Sequence, residues 1–131
     1  FGTAITCDVV DETGSFIGGL IAPGLRVMSD YLHERTALLP EAPYRPIRRL
    51  IGRSTMEAMQ IGLYRMMTGF IREMVGELRK HFGPSISLCA TGGDAHRLRL
   101  LLGREGVVIV PHLTFEGMQR IHRCVRKRSV S

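Results

Sequence analysis

The sequence predicts an α/β fold in which a mixed sheet is flanked by helices, one of them long. Three observations carry this. A β-branched apolar run opens the chain, turns at a polar tetrapeptide and runs back. From Ser54 to about His81 apolar residues recur without a proline, over a span that suits a helix. Beyond it, two short apolar runs bracket a paired-glycine turn and a helical segment, the alternation of strand and helix found in layered α/β domains.

Ile5, Val9 and Val10 favour the pleat, so residues 4–10 are expected to form a buried strand. Asp11-Glu12-Thr13-Gly14 reads as a turn and residues 15–21 as the return strand of a β-hairpin. Gly2-Thr3 stands at its mouth. Glycine lets a ligand approach the backbone, and a threonine hydroxyl beside N–H groups can hold a phosphate oxygen. On their own the two residues also fit a plain hairpin, the commoner case. Ala22-Pro23-Gly24-Leu25 is a turn, and Leu25, Val27, Met28, Tyr31 and Leu32 predict a helix over 24–34, with Pro23 tolerated at its start. Gly18-Gly19 and Pro23-Gly24 read as turn chemistry, or alternatively as the flexible wall of a pocket. Residues 36–40 close this helix. Residues 40–53, with three prolines, read as a loop whose Arg45, Arg48 and Arg49 form a solvated surface in preference to an anion site.

Ser54 or Thr55 is expected to cap the long helix, with Glu57 three residues after Ser54 at the capping-box spacing. Gly83-Pro84 stops it, giving a helix of ~40 Å at 1.5 Å per residue. Its apolar residues cover more than one stripe, which predicts packing on two sides: one against the domain's own sheet, the other against a second copy. Gly62, Gly69 and Gly76 fall seven apart and share a face where another backbone could approach, so residues 55–81 are the expected dimer interface. The methionines here are core packing. Residues 85–90 read as a short strand, 91–95 as a turn and 94–102 as a helix with Asp94 near its N-terminus. A strand, paired glycines and a helix can admit a nucleotide, although a glycine pair is also a common turn. Gly103 to Gly106 is a turn, Val107–Val110 a central buried strand, and Thr114 caps a last helix to about Lys127 with Phe115, Met118, Ile121 and Val125 on one face. Its basic end, with Arg120, His122, Arg123, Arg126, Lys127 and Arg128, complements the helix dipole. The histidines show no ligand pairing, and His112 and His122 are expected at the surface.

A chain of 131 residues is one domain by length and can carry a core. Its net charge of +6 comes almost wholly from arginine, since Lys80 and Lys127 are the only lysines. No nucleic-acid module pattern is present, so anionic small substrates such as ATP are the expected partners and nucleic acid is not. No apolar run is long enough for a membrane span, and no signal peptide is visible. Cys7, Cys89 and Cys124 are odd in number and far apart, which suggests buried thiols in a reducing cytoplasm, with no disulfide framework and no metal spacing. The first residue is Phe1, so a processed chain or a piece of a longer one is expected.

Five stretches, in order, resemble one family: Gly2-Thr3-Ala4-Ile5-Thr6, Gly18-Gly19-x-Ile21-x-Pro23-Gly24, Gly52-Arg53-Ser54-Thr55, Ala90-Thr91-Gly92-Gly93-Asp94-Ala95 and Leu113-Thr114-Phe115-Glu116-Gly117. Together they are similar to the C-terminal half of a type III pantothenate kinase, and the resemblance covers essentially the whole chain. It implies the C-terminal ATPase-like lobe of an actin-like, sugar-kinase-like fold over residues 1–131. It also implies phosphorylation of pantothenate by ATP, the first step towards coenzyme A, in a cytoplasmic homodimer that uses Mg2+ with ATP and a monovalent cation, K+ or NH4+. By resemblance Gly2 and Thr3 contact ATP phosphate, Gly92 and Gly93 belong to the adenosine motif, and Thr55 contacts pantothenate. The family's potassium-binding aspartate would fall just before Phe1, and the N-terminal lobe with the catalytic aspartate is not in the chain. No catalytic residue is therefore assigned here, and Asp8, Asp11 and Asp94 do not match the catalytic position. Phosphoryl transfer needs positioning, charge stabilisation and a base or orienting group, so this chain alone is expected to be inactive. The alternative is a catalytically inactive fragment, or a regulatory or interaction protein of the same fold. A different kinase of the same superfamily is disfavoured by the context of Thr55.

Overall fold

Where the chain's own neighbours can satisfy an element, the elements form as the sequence predicts. A computed structural model describes the backbone of residues 1–128 and the side chains of residues 1–126. It divides into two units, Phe1–Ile86 and a second beginning at Ser87.

In the first unit, β1 (Ala4–Val10) and β2 (Phe16–Pro23) pair antiparallel, with Ile5 opposite Ala22 and Cys7 opposite Leu20 on the better covered face. The turn between them is built by Asp11. Its carboxylate accepts from the Thr13 hydroxyl (2.7 Å), the Thr13 amide (2.9 Å) and the Ser15 amide (2.9 Å), while Gly14 takes φ +83°. These bonds to the charged form hold the Asp11 carboxyl below its ordinary range, the Thr13 hydroxyl contributing most. β1 is not the buried strand expected: only Ile5 is fully buried, and Val10, Phe16, Ile17 and Ile21 are exposed. A two-stranded ribbon has no third strand to extend its sheet. Cys7 lies half-covered on the inner face, and burial, helped by the Asp8 charge, raises its thiol pKa.

β2 runs through Pro23, and Gly24 is the extended N-cap of α1 (Leu25–Arg35), so the proline ends the strand instead of opening the helix. α1 packs on α2 (Thr55–Phe82). The core between them is Ala42, Met59 and Leu63, with Met28, Leu32, Leu39 and Met56 against it. The loop carrying Ala42 is fastened by buried Ser29, whose hydroxyl donates to the Ala42 carbonyl (2.7 Å) and accepts from its amide (3.3 Å). Tyr44 stacks at a tilt on Tyr64, ring centroids 6.1 Å apart, and burial pushes its phenol up to about 12.

α2 buries Met59, Leu63, Met67, Ile71 and Val75 as an i, i+4 ridge of the kind a tertiary helix face requires, and Ile61 is buried off that ridge. Gly62, Gly69 and Gly76 lie on an exposed face, where an added Cβ would meet nothing within 4 Å. Gly83 ends the helix at φ +94°, its amide donating to the Arg79 carbonyl.

In the second unit both strands and the first helix are shorter than expected. Only β3 (Cys89–Ala90) of the 85–90 run forms a ladder, parallel to β4 (Val108–Ile109). The residues before Cys89 have no strand opposite them among the described residues. Among the described residues the sheet is therefore not one mixed sheet: the hydrogen bonds make two two-stranded ones. Turns occupy residues 92–98, and α3 (Arg99–Arg104) starts later than the expected 94–102 helix, with Gly103 inside it and Gly106 (φ +69°) turning the chain. Ala90, Ala95, Leu98, Leu101 and Leu102 are buried. β4 is not a buried central strand, since Val108 is 63% exposed.

The last helix, α4 (Leu113–Arg128), begins one residue before Thr114, so Thr114 is not its cap. Phe115, Met118, Ile121 and Val125 are exposed instead of packed. Arg120, His122, Arg123 and Arg126 are exposed too, while the side chains of Lys127 and Arg128 lie outside the described residues. Cys89 and Cys124 are exposed free thiols, which corrects the expectation that they are buried. Among the described residues no helix is long and apolar enough to cross a membrane.

Candidate functional site

Three places hold the residues singled out by sequence. At the hairpin mouth Gly2 precedes β1, with its amide donating to the Ala4 carbonyl (3.1 Å). The Gly24 amide donates to the Thr3 carbonyl (2.8 Å), drawing the end of β2 against Gly2-Thr3. A Cβ at Gly24 would collide with the carbonyl oxygens of Gly2 and Thr3, so the Pro23-Gly24 step is a close backbone approach that only glycine permits. Sequence reasoning read Gly24 as a turn; its contact with Gly2-Thr3 depends on the hairpin register and has no local signature. Gly2 has open space on its side-chain side, and Thr3 is exposed.

The second place is the start of α2. Ser54 has extended backbone and its hydroxyl accepts from the Glu57 amide (3.2 Å). The Glu57 carboxylate accepts from the Arg53 amide (2.8 Å) and pairs with Arg49 at 3.6 Å. This is a capping box displaced by one residue, and it makes Arg49 part of the cap instead of a free surface charge. Gly52 lies against the first turn: a Cβ there would stand 2.5 Å from the Ala58 amide nitrogen. The Gly52-Arg53-Ser54-Thr55 run is thus a tight entry that presents Thr55, exposed, as the first residue of α2.

The third place is the turn after β3, in the second unit. Gly92 takes φ +102°, and its carbonyl accepts from the buried Ala95 (3.1 Å). Gly93 is exposed with open space beside it. Asp94 pairs with Arg97 at 3.5 Å, and the Thr91 hydroxyl donates to the Pro111 carbonyl (3.2 Å), tying the ends of β3 and β4 together. Gly2, Thr3 and Thr55 belong to the first unit, Gly92 and Gly93 to the second.

A family model for type III pantothenate kinase matches residues 1–77, from the hairpin mouth through most of α2. The chain belongs to the type III pantothenate kinase family. The type III pantothenate kinase of Methylacidiphilum infernorum is 38% identical over 130 residues, covering 98% of this chain and 48% of that protein. The type III pantothenate kinase of Akkermansia muciniphila is 45% identical over 120 residues, 91% of this chain and 49% of that protein. The chain therefore spans about half the length of the curated type III pantothenate kinases it matches. A solved Baf family protein from Campylobacter jejuni shares the fold at TM-score 0.55 and 21% identity, covering 96% of this chain and 56% of that one.

Proposed function

We propose that this chain is the ATPase-like C-terminal half of a type III pantothenate kinase. Within a complete two-lobe polypeptide it helps transfer the γ-phosphoryl group of ATP to pantothenate. The hydroxyl oxygen of pantothenate bonds to the γ-phosphorus, the bond to the ADP oxygen breaks, and the hydroxyl proton passes to a base. The observation that carries this reading is the family match over residues 1–77, which spans both the hairpin mouth and the start of α2.

In this reading Gly2 and Thr3 lie along the phosphates, where open space at Gly2 and an exposed hydroxyl suit a backbone cradle. Gly92 and Gly93 flank adenosine on an exposed turn, and Thr55 offers its hydroxyl to pantothenate from the first turn of α2. None of the aspartates is assigned as the base; Asp11 in particular is occupied by its own turn. The enzyme uses Mg2+ with ATP, and K+ or NH4+. Among the described residues no three His, Cys, Asp or Glu side chains converge as a chelating group. The open glycine face of α2 serves as the homodimer contact, and the enzyme works in the cytoplasm.

The test is steady-state kinetics of a full-length polypeptide carrying this chain. Thr55→Ala is expected to raise the KM for pantothenate roughly tenfold or more while leaving the KM for ATP nearly unchanged. An unaltered pantothenate KM sinks the Thr55 assignment. Gly93→Val is the companion variant. Gly93 has room beside it and no left-handed backbone, so a raised ATP KM reports nucleotide proximity and not a damaged turn. Absence of pantothenate phosphorylation by the full-length protein would favour the second reading, an interaction protein of the same fold.

A further inference from the structure

We infer that Glu57 is a positioning residue for the reaction: its carboxylate fastens the chain ahead of α2 so that the Thr55 hydroxyl meets pantothenate at a fixed place. The inference rests on the proposed contact of Thr55 with that substrate. Thr55 is the first residue of α2 and is exposed, so packing of its own side chain does little to place its hydroxyl. The backbone on either side has to do so. On the helical side the Ser54 carbonyl accepts from the Ala58 amide (2.9 Å) and closes the first turn. On the loop side the Glu57 carboxylate accepts from the Arg53 amide (2.8 Å). In the usual capping box the acid returns to the amide of the cap residue itself. Here it reaches one residue further back and so fastens the entering loop as well as the cap. The Glu57 amide acts too, donating to the Ser54 hydroxyl (3.2 Å). Residues 53–57 thus form a ring closed through Glu57, with Thr55 at its middle.

Two further contacts decide which property of Glu57 matters. Arg49 pairs with the other carboxylate oxygen at 3.6 Å, but the two side chains are 64% and 40% exposed, and an ion pair so placed contributes little. The bond to the Arg53 amide has a charged acceptor, the stronger kind of hydrogen bond. Gly52 lies so close to the first turn that a Cβ there would stand 2.8 Å from the Glu57 carbonyl carbon. The loop therefore has a close seat on the helix, and the Arg53–Glu57 bond keeps it there. A group that orients a substrate has to be held within about 0.5 Å, and a misplacement of about 1 Å can cost on the order of a hundredfold in rate. Loss of the Glu57 acceptor frees the Arg53 peptide and lets Thr55 drift, although Glu57 itself touches no substrate.

Steady-state kinetics of the full-length polypeptide carrying this chain tests the inference. Glu57→Ala is expected to raise the KM for pantothenate roughly fivefold or more and to leave the KM for ATP nearly unchanged. Glu57→Asp keeps the charge at the helix N-terminus but shortens the reach by one methylene, so it should fold as the parent does and raise the pantothenate KM in the same sense. Glu57→Gln retains an oxygen for the Arg53 amide and should return to within about twofold of the parent. Glu34→Ala, which removes an exposed carboxylate on α1, is expected to alter neither KM. In a Thr55→Ala background Glu57→Ala should add almost nothing, because the two act through one hydroxyl. An unchanged pantothenate KM in Glu57→Ala and Glu57→Asp overturns the inference. So does a joint rise of both KM values, a Gln variant no better than the Ala variant, or full additivity with Thr55→Ala. If Thr55→Ala alone leaves the pantothenate KM unaltered, the substrate contact fails and takes the inference with it. If Thr55→Ala raises that KM and Glu57→Ala does not, the inference fails alone.

Discussion

α2 and α4 each carry an apolar stripe at helical spacing, yet one is covered and the other is bare. α2 is closed at its entrance by Ser54 and Glu57, at its exit by Gly83, and along its length by the buried Met59–Val75 ridge. α4 lays out Phe115, Met118, Ile121 and Val125 with equal regularity and leaves them in water. Periodicity therefore reports which face of a helix is apolar, not what covers it. The cover depends on residues remote in sequence, and for α2 part of it, the Ala42 loop and α1, lies within the chain.

Substitution along the two stripes should separate them most widely. Leu63→Ala, at a site 2% exposed, is expected to cost about 2–5 kcal/mol in urea unfolding, whereas Ile121→Ala should stay within about 0.5 kcal/mol. Equal losses would mean that α4 is buried in solution and would break the contrast. The entrance to α2 gives the next largest effect. Gly52→Ala forces a Cβ onto the backbone of Glu57 and Ala58 and should cost about 1–3 kcal/mol; a neutral result would show that the entry loop yields. Ser54→Ala removes the cap and should cost about 1 kcal/mol, with the fraying localised by amide chemical shifts to the first turn.

The smallest effect tests the same distinction in a turn whose bonds all come from neighbouring residues. The Asp11 carboxyl lies below its ordinary pKa of 3.8 because Thr13 and Ser15 donate to its charged form. A depressed folded pKa contributes stability above the unfolded value, and that contribution is lost as pH falls through the folded value. The gap in urea midpoint between the parent and Asp11→Asn should therefore be present at neutral pH and close in acid. A gap that does not narrow as the pH is lowered would assign the loss to something other than ionisation.

The legible parts of the molecule follow the same rule. The hairpin, its Asp11–Gly14 turn, the Ser54 cap and the stop at Gly83-Pro84 were readable because donor and acceptor lie within a few residues of each other. The strand lengths in the second unit were not, since residues 85–88 and Val107 are apolar enough for a ladder but form one only where a partner strand stands opposite. The same reason hid the exposure of Val108 and of Cys89. At the candidate site, Gly2-Thr3, Thr55 and the Gly92-Gly93 turn were visible as motifs. The closeness of Gly24 to Gly2-Thr3 was not, because hairpin register brings it about. Arg49 was read as solvated and its side chain is exposed; its pairing with Glu57 at the α2 entrance was not read.

The Ser29–Ala42 fastening has a consequence for how the first unit breathes. Ala42 sits in a stretch without regular structure, where amides commonly trade their protons with solvent quickly. Its amide is nevertheless buried against the Ser29 hydroxyl and shares a cluster with Met59 and Leu63. It can reach solvent only when α1 and the loop part company. In a hydrogen–deuterium exchange time course, Ala42 is thus an internal clock for the opening of the α1–α2 core, set in a loop whose neighbours would already be fully deuterated.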